Sequence, residues 1–458
     1  MKKIYTIGAF AVLFAACKPA VNVTKTPTAG TANFSNYLAV GNSFTAGFGD
    51  NSLTVYGQLN SFPQRLFEQF SLIPANPGAK GPFIQPLLHS DNGYPGPIKV
   101  LAMTYNSCIP GDSSLAPIDF PGFLQDPIDA QPYNSGVNNG QVNNIGTPGL
   151  RVVDLPVMQY AAAFNRYAAR FYHDTTNTPM NEILYRVDNY HPTFFTLWLG
   201  MDDILGYALN GGQGDGTGNA VPQVLNIYSL NDISPTAAFE KNYDSVLNII
   251  IHTSASGALI NIPDITSLPF FTTIPANGLT IARQGQADSL QALFSIYHAV
   301  FQVGANFFMI QDHKGNIRQA VPGELLLLTV PQDSLTCAGW GTTKPIPAQY
   351  VLTTDEIQFI RAATATFNSY IRQEANLHHL AYVDMNQYFS SLASGITYNG
   401  IKYSTQFVSG GAFSLDGIHP TARGYALIAN QILATINSFY HSTIPSIDAN
   451  KYHGVNFP

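Results

Sequence analysis

Ser43, Asp416 and His419 are the residues of this chain whose types could act as one reacting unit. A serine hydroxyl is a weak nucleophile until a base takes its proton. His419 can be that base, and Asp416, three residues earlier, can turn its carboxylate to the same point and orient the ring. Each also has a plainer reading. A serine in a turn can bond its own backbone, and a histidine before Pro420 can cap a turn.

The elements that must position them are legible as patterns. The apolar run Tyr37-Leu38-Ala39-Val40 feeds Gly41, then Asn42-Ser43, then Ala46-Gly47. This reads as a buried strand entering a tight turn with Ser43 at its carboxyl end, where open α/β sheets bind ligands. Phe62, Leu66 and Phe70, four apart with Pro63 in the first turn, predict a short helix behind it. Residues 192–200 form a continuous apolar run, as a central parallel strand should. Further strands are expected at 258–263, 325–330 and 380–384. Helices are expected at 152–172 (alanine-rich), at 239–253, from a Thr354 cap through Ile371, and from Pro420 through Ile436. Strand and helix alternate, so the fold class is α/β: a three-layer α/β/α sandwich with a mostly parallel sheet.

Taken together and in order, the motifs resemble the SGNH (GDSL-type) hydrolases, a family of esterases, lipases and carbohydrate deacetylases. The resemblance rests on Gly41-Asn42-Ser43-Phe44, Asn144-Ile145-Gly146-Thr147-Pro148-Gly149, Gly200-Met201-Asp202-Asp203 and Asp416-x-x-His419. It implies a flavodoxin-like core and a catalytic Ser43, His419 and Asp416. It also implies an oxyanion site built from the N–H groups of Ser43 and Gly149 with the residue at 202, and no cofactor or metal. Two positions depart from the family. Asn42 stands where Asp is usual, and Asp202 where the usual Asn donates to the oxyanion; an ionised Asp can only accept. One reading is a swap that keeps a carboxylate–amide bond, with Asn42 or a protonated Asp202 as donor. In another, Asp202 turns away and two backbone donors suffice. In a third, the site is inactive.

Composition narrows the setting. Only 11% of residues are charged, against roughly 25% in ordinary soluble domains. The net charge is −7 with no basic cluster beyond Lys2-Lys3, so no nucleic-acid partner is expected. With 24 Tyr and 29 Phe the chain can pack a large core. Lys2-Lys3, the apolar run 4–16 and Ala15-Ala16-Cys17 resemble a bacterial lipoprotein signal, although Phe14 replaces the usual aliphatic residue. Residues 1–17 are read as that signal, with Cys17 as the lipidation site, and 18–33 as a flexible tether. The hydrolase domain would run from 34 to 440, with insertions at about 74–143 and 265–350, followed by a tail at 441–458. In an exported protein Cys108 and Cys337 could form a disulfide or remain two buried thiols. His378-His379 lacks the companions of a metal site, and the glycine-rich stretch 211–218 reads as a linker.

The expected protein is thus an exported serine ester hydrolase, an esterase or lipase held by lipid to the outer membrane of a Gram-negative-type cell envelope. Its partners would be a small or polymeric ester and the membrane. The alternatives are a deacetylase of acetylated polysaccharide and an inactive surface lipoprotein that binds glycan or a partner protein.

Overall fold

The computed structural model describes residues 26–74, 78–132, 140–223 and 227–457. The expected signal segment and Cys17 lie outside the described residues. The core is a five-stranded parallel sheet of β1 (Tyr37–Gly41), β2 (Asn144–Gly146), β3 (Phe194–Trp198), β4 (Ser256–Ile260) and β5 (Ala381–Val383), in the order β2-β1-β3-β4-β5. Every residue of β1 and β3 is buried, because both faces of the sheet are covered; hence their largely apolar runs. Val40 lies opposite Ile145 on one side and Leu197 on the other. The strand order reverses direction at β1, so the crevice beside its carboxyl end is the switch point where such sheets take ligands.

The connections carry helices α1 (Ser43–Ala46), α2 (Phe62–Phe70), α3 (Pro179–Tyr190), α4 (Asp202–Leu209), α5 (Thr236–Ile251), α6 (Thr354–Leu377) and α7 (Ala422–Tyr440). Helices α2 and α7 pack together on one face, and α3, α5 and α6 on the other. Thr353, one residue before the expected cap, closes the start of α6 in a capping box with Glu356.

Three expectations need correction. The stretch 152–172 is no single helix. It breaks into a 3-10 turn (Val152–Asp154), a π turn (Tyr160–Phe164) and a short helix (Arg166–Ala169). Pro156 cannot donate within a helix, and Gln159 sits at φ 57. The run 325–330 supplies only the two-residue strand Leu325–Leu326, paired with Ile274–Pro275 and Val351–Leu352 in a small antiparallel patch.

The described part of the tether is docked rather than free. Thr31 N–H donates to the Tyr440 carbonyl at 2.8 Å, and Ala29 and Ala32 are buried. Gly30 permits this: a Cβ there would lie 1.9 Å from the Tyr440 oxygen. The C-terminal tail is also docked. Asn430 and Asn437 on α7 use both ends of their amides, donating to the carbonyls of Ile447 and Ile444 and accepting their N–H groups.

The two insertions take definite form. The first contains an antiparallel hairpin, Lys99–Tyr105 with Ser113–Asp119. The second has its own apolar core around Met309, Ile310, Leu326 and Ile346. A disulfide between Cys108 and Cys337 joins them.

Candidate active site

Strand β1 delivers Ser43 through a turn that tolerates no bulk. A Cβ on Gly41 would fall 2.0 Å from Thr45 Oγ1 and 2.7 Å from the Trp198 carbonyl. Asn42 caps α1 by accepting the Phe44 N–H at 3.1 Å, and Gly47, at φ 83, ends the helix by donating to the Ser43 carbonyl. The end of β2 is tied to the same turn: Thr147 N–H donates to the Gly41 carbonyl, and the Asn144 amide to that of Thr45.

The loop between Ser414 and Pro420 brings the base. His419 Nε2 lies 2.9 Å from Ser43 Oγ, and its Nδ1 lies 2.8 Å from Asp416 Oδ2. With Nδ1–H donated to the carboxylate, Nε2 is left as acceptor for the serine proton. Phe44 and Phe48 pack against the imidazole, with ring centroids 5.5 and 4.6 Å away. Burial alone would raise the Asp416 pKa. Attraction to His419 and hydrogen bonds from the His419 side chain and from the His419 and Ile418 N–H groups outweigh it and hold the carboxyl at about 2. Ser414 Oγ–H and Asn51 N–H also donate to this carboxylate.

On the other side of Ser43, Asn42 Nδ2 donates to Asp202 Oδ2 at 2.5 Å. Burial pushes the Asp202 carboxyl up to about 6, against the lowering effect of the Asn42 bond and of nearby His419 and Arg151. The exchanged pair is therefore in direct contact. Asp203 is buried outright and accepts the N–H groups of Val152 and Val153, tying α4 to the turn after Gly149; burial takes it to about 7. Gly149 itself is exposed at φ 78, and nothing lies closer to its Cβ position than Asn165 Nδ2 at 4.0 Å. Among the described residues neither the Ser43 nor the Gly149 N–H donates to a protein acceptor. Both are free to meet a ligand.

The structure thus brings Ser43, His419 and Asp416 into one hydrogen-bonded row, with Asn42, Asp202 and the Gly149 loop beside it. Neither histidine of His378-His379 joins it; His378 faces Glu374 at 3.4 Å, and no cluster of metal-ligating side chains exists among the described residues.

The family model of GDSL-like lipases and acylhydrolases matches residues 37–432, from the first residue of β1 into α7. The chain belongs to that family. Ester hydrolysis is the general activity the family carries. No curated protein matches the chain.

Sequence reasoning missed several supporting residues. Asp50 accepts the Leu415 N–H at 2.8 Å and fixes the start of the His419 loop; burial pushes it up to about 6. Asp50 and Asn51 both lie at positive φ, and Gly49-Asp50-Asn51 could have been read as a turn. Asn165 donates to the Pro148 carbonyl and to Tyr160 Oη, bracing the loop at Gly149. No pattern in the sequence marks that link. Also unmarked is a cleft of about 1000 Å³ beside His419, walled by both insertions.

Proposed function

We propose that the chain is a serine ester hydrolase with Ser43, His419 and Asp416 as its catalytic triad. The observation that supports this best is His419 bridging Ser43 Oγ and Asp416 Oδ2 through its two ring nitrogens. Ser43 Oγ attacks the ester carbonyl carbon while its proton passes to His419 Nε2, and Asp416 stabilises the imidazolium. His419 returns that proton to the leaving alcohol oxygen as the ester C–O bond breaks. Water, deprotonated by the same nitrogen, then cleaves the acyl-serine. The N–H groups of Ser43 and Gly149 meet the oxyanion, joined by the second amide N–H of Asn42 and, below its pKa of about 6, by protonated Asp202.

The test is hydrolysis of nitrophenyl esters and labelling by a fluorophosphonate, comparing the chain with Ser43→Ala. Activity and label should both vanish in the variant. An unlabelled wild type would favour the binding-protein reading instead.

Export and lipidation at Cys17 belong to the same proposal. They are supported by Lys2-Lys3, the apolar run before Ala15-Ala16-Cys17, and a disulfide that suits an oxidising compartment. Metabolic labelling with palmitate should mark the chain and fail with Cys17→Ala; label retained in that variant would refute the anchor.

A further inference from the structure

The cleft beside the triad is asymmetric with respect to the reacting carbonyl. His419, Asp416 and Ile418 line it, whereas Gly149, Asn42 and Asp202 do not. Leu209 does, but it stands at the far end of α4 from Asp202, about 10 Å away at helical rise. The cavity therefore extends from the base and its carboxylate, away from the oxyanion donors. A general acid must lie within hydrogen-bond reach of the oxygen it protonates, so the leaving group departs past His419. The acyl side, by contrast, faces the exposed and unobstructed Gly149.

We propose that this cleft holds the alcohol half of the ester, and that this half is a long apolar chain rather than a sugar. This rests on the triad reading above. The walls are mainly hydrocarbon: Leu115 from the hairpin, Phe270, Leu279, Phe308 and Leu335 from the second insertion, and Ile418 from the histidine loop. Polar residues are the minority of the lining. Beyond the triad's own Asp416 and His419 they are four threonines with Asn51, Lys99, Ser114 and Gln332, fewer than the many hydroxyls of a sugar would call for. The cavity is also a fixed one. The disulfide ties Cys108, near the hairpin, to Cys337, next to the lining residues Leu335 and Thr336. On the remaining side Val408, a β-branched residue held at φ 63, is presented to the cleft at a conformational cost that the surrounding fold maintains.

Two isomeric esters separate the halves. Decyl acetate carries its chain on the alcohol, and ethyl decanoate carries the same carbons on the acyl group. Wild type and two variants that fill the cleft from exposed lining positions, Thr329→Trp and Gln332→Trp, are assayed on both, with ethyl acetate as reference. In wild type, kcat/KM should climb about fourfold per buried methylene as the alkyl acetate lengthens, over the first few carbons. Both tryptophan variants should return decyl acetate towards the ethyl acetate level, leaving ethyl acetate and ethyl decanoate within about twofold of wild type. Loss confined to ethyl decanoate, equal loss on both isomers, or no loss on either overturns the assignment while the triad stands. If wild type cleaves no ester and Ser43 takes no fluorophosphonate, the triad reading fails and this inference falls with it.

Discussion

Asp416 and Asp202 flank the same serine–histidine pair, are the same residue type, and are shifted in opposite directions. Asp416 is held at about 2 and Asp202 is pushed to about 6. Desolvation is the largest influence on both, so burial does not distinguish them. Donors do. Asp416 accepts five hydrogen bonds, from Ser414, Asn51, Ile418 and twice from His419. Among the described residues Asp202 accepts one, from the amide of Asn42. A carboxylate needs several donors aimed at it before it stays ionised away from water. The molecule supplies many donors where a negative charge must orient an imidazolium and few beside the expected oxyanion, so that Asp202 takes up its proton near pH 6 and Asp416 only near pH 2.

The comparison breaks most visibly at Asp416. Asp416→Asn leaves the shape but places an amide where the Nδ1–H must be accepted, and kcat on a nitrophenyl ester should fall about 10⁴-fold. A loss of less than about tenfold would mean that the five donors serve the loop and not the base.

The Asp202 side is sharpened by a cycle. Asn42→Asp sets two carboxylates against each other, and the unfolding free energy at pH 8 should drop by roughly 2 kcal/mol in urea titrations. Adding Asp202→Asn exchanges the partners and should recover most of the loss; simple additivity would show that the two side chains do not sense each other. Asp202→Asn alone replaces an acceptor by a donor and should raise kcat at pH 8 about tenfold. An unchanged kcat would place Asp202 out of the oxyanion's reach.

The smallest effect is on stability against pH. Asp50, Asp202 and Asp203 are raised from 3.8 to about 6, 6 and 7. The folded chain therefore holds protons that the unfolded chain releases, and acidifying from pH 8 to pH 5 should raise the melting temperature. Asp416 acts in the opposite sense, with stability lost only as pH falls from about 4 towards 2. Asp203→Asn should flatten the pH 5–8 slope; a slope unchanged in that variant would assign it to other groups.

What was readable in the sequence was short-range. Asp416 and His419 are three residues apart, and Ser43 follows an apolar run that only a buried strand explains. The Asn42–Asp202 contact was readable only as two departures that compensate across 160 residues. The misread pieces failed for physical reasons. The alanine-rich stretch 152–172 is kept from forming one helix by Pro156 and the left-handed Gln159. Asp50, Asn165 and the cleft walls act through tertiary approach, and neither spacing nor composition encodes which distant backbone a side chain will meet.

The docking of Thr31 and its neighbours onto the end of α7 sets a leash length. Between a lipid on the proposed Cys17 and Thr28, whose N–H is bonded to Thr443, there are 28 − 17 = 11 residue steps. Fully extended, these span at most about 40 Å, roughly the depth of the bilayer itself. The enzyme would patrol a shallow layer above the membrane, meeting apolar alcohol esters by lateral diffusion and returning the freed alcohol to the same surface.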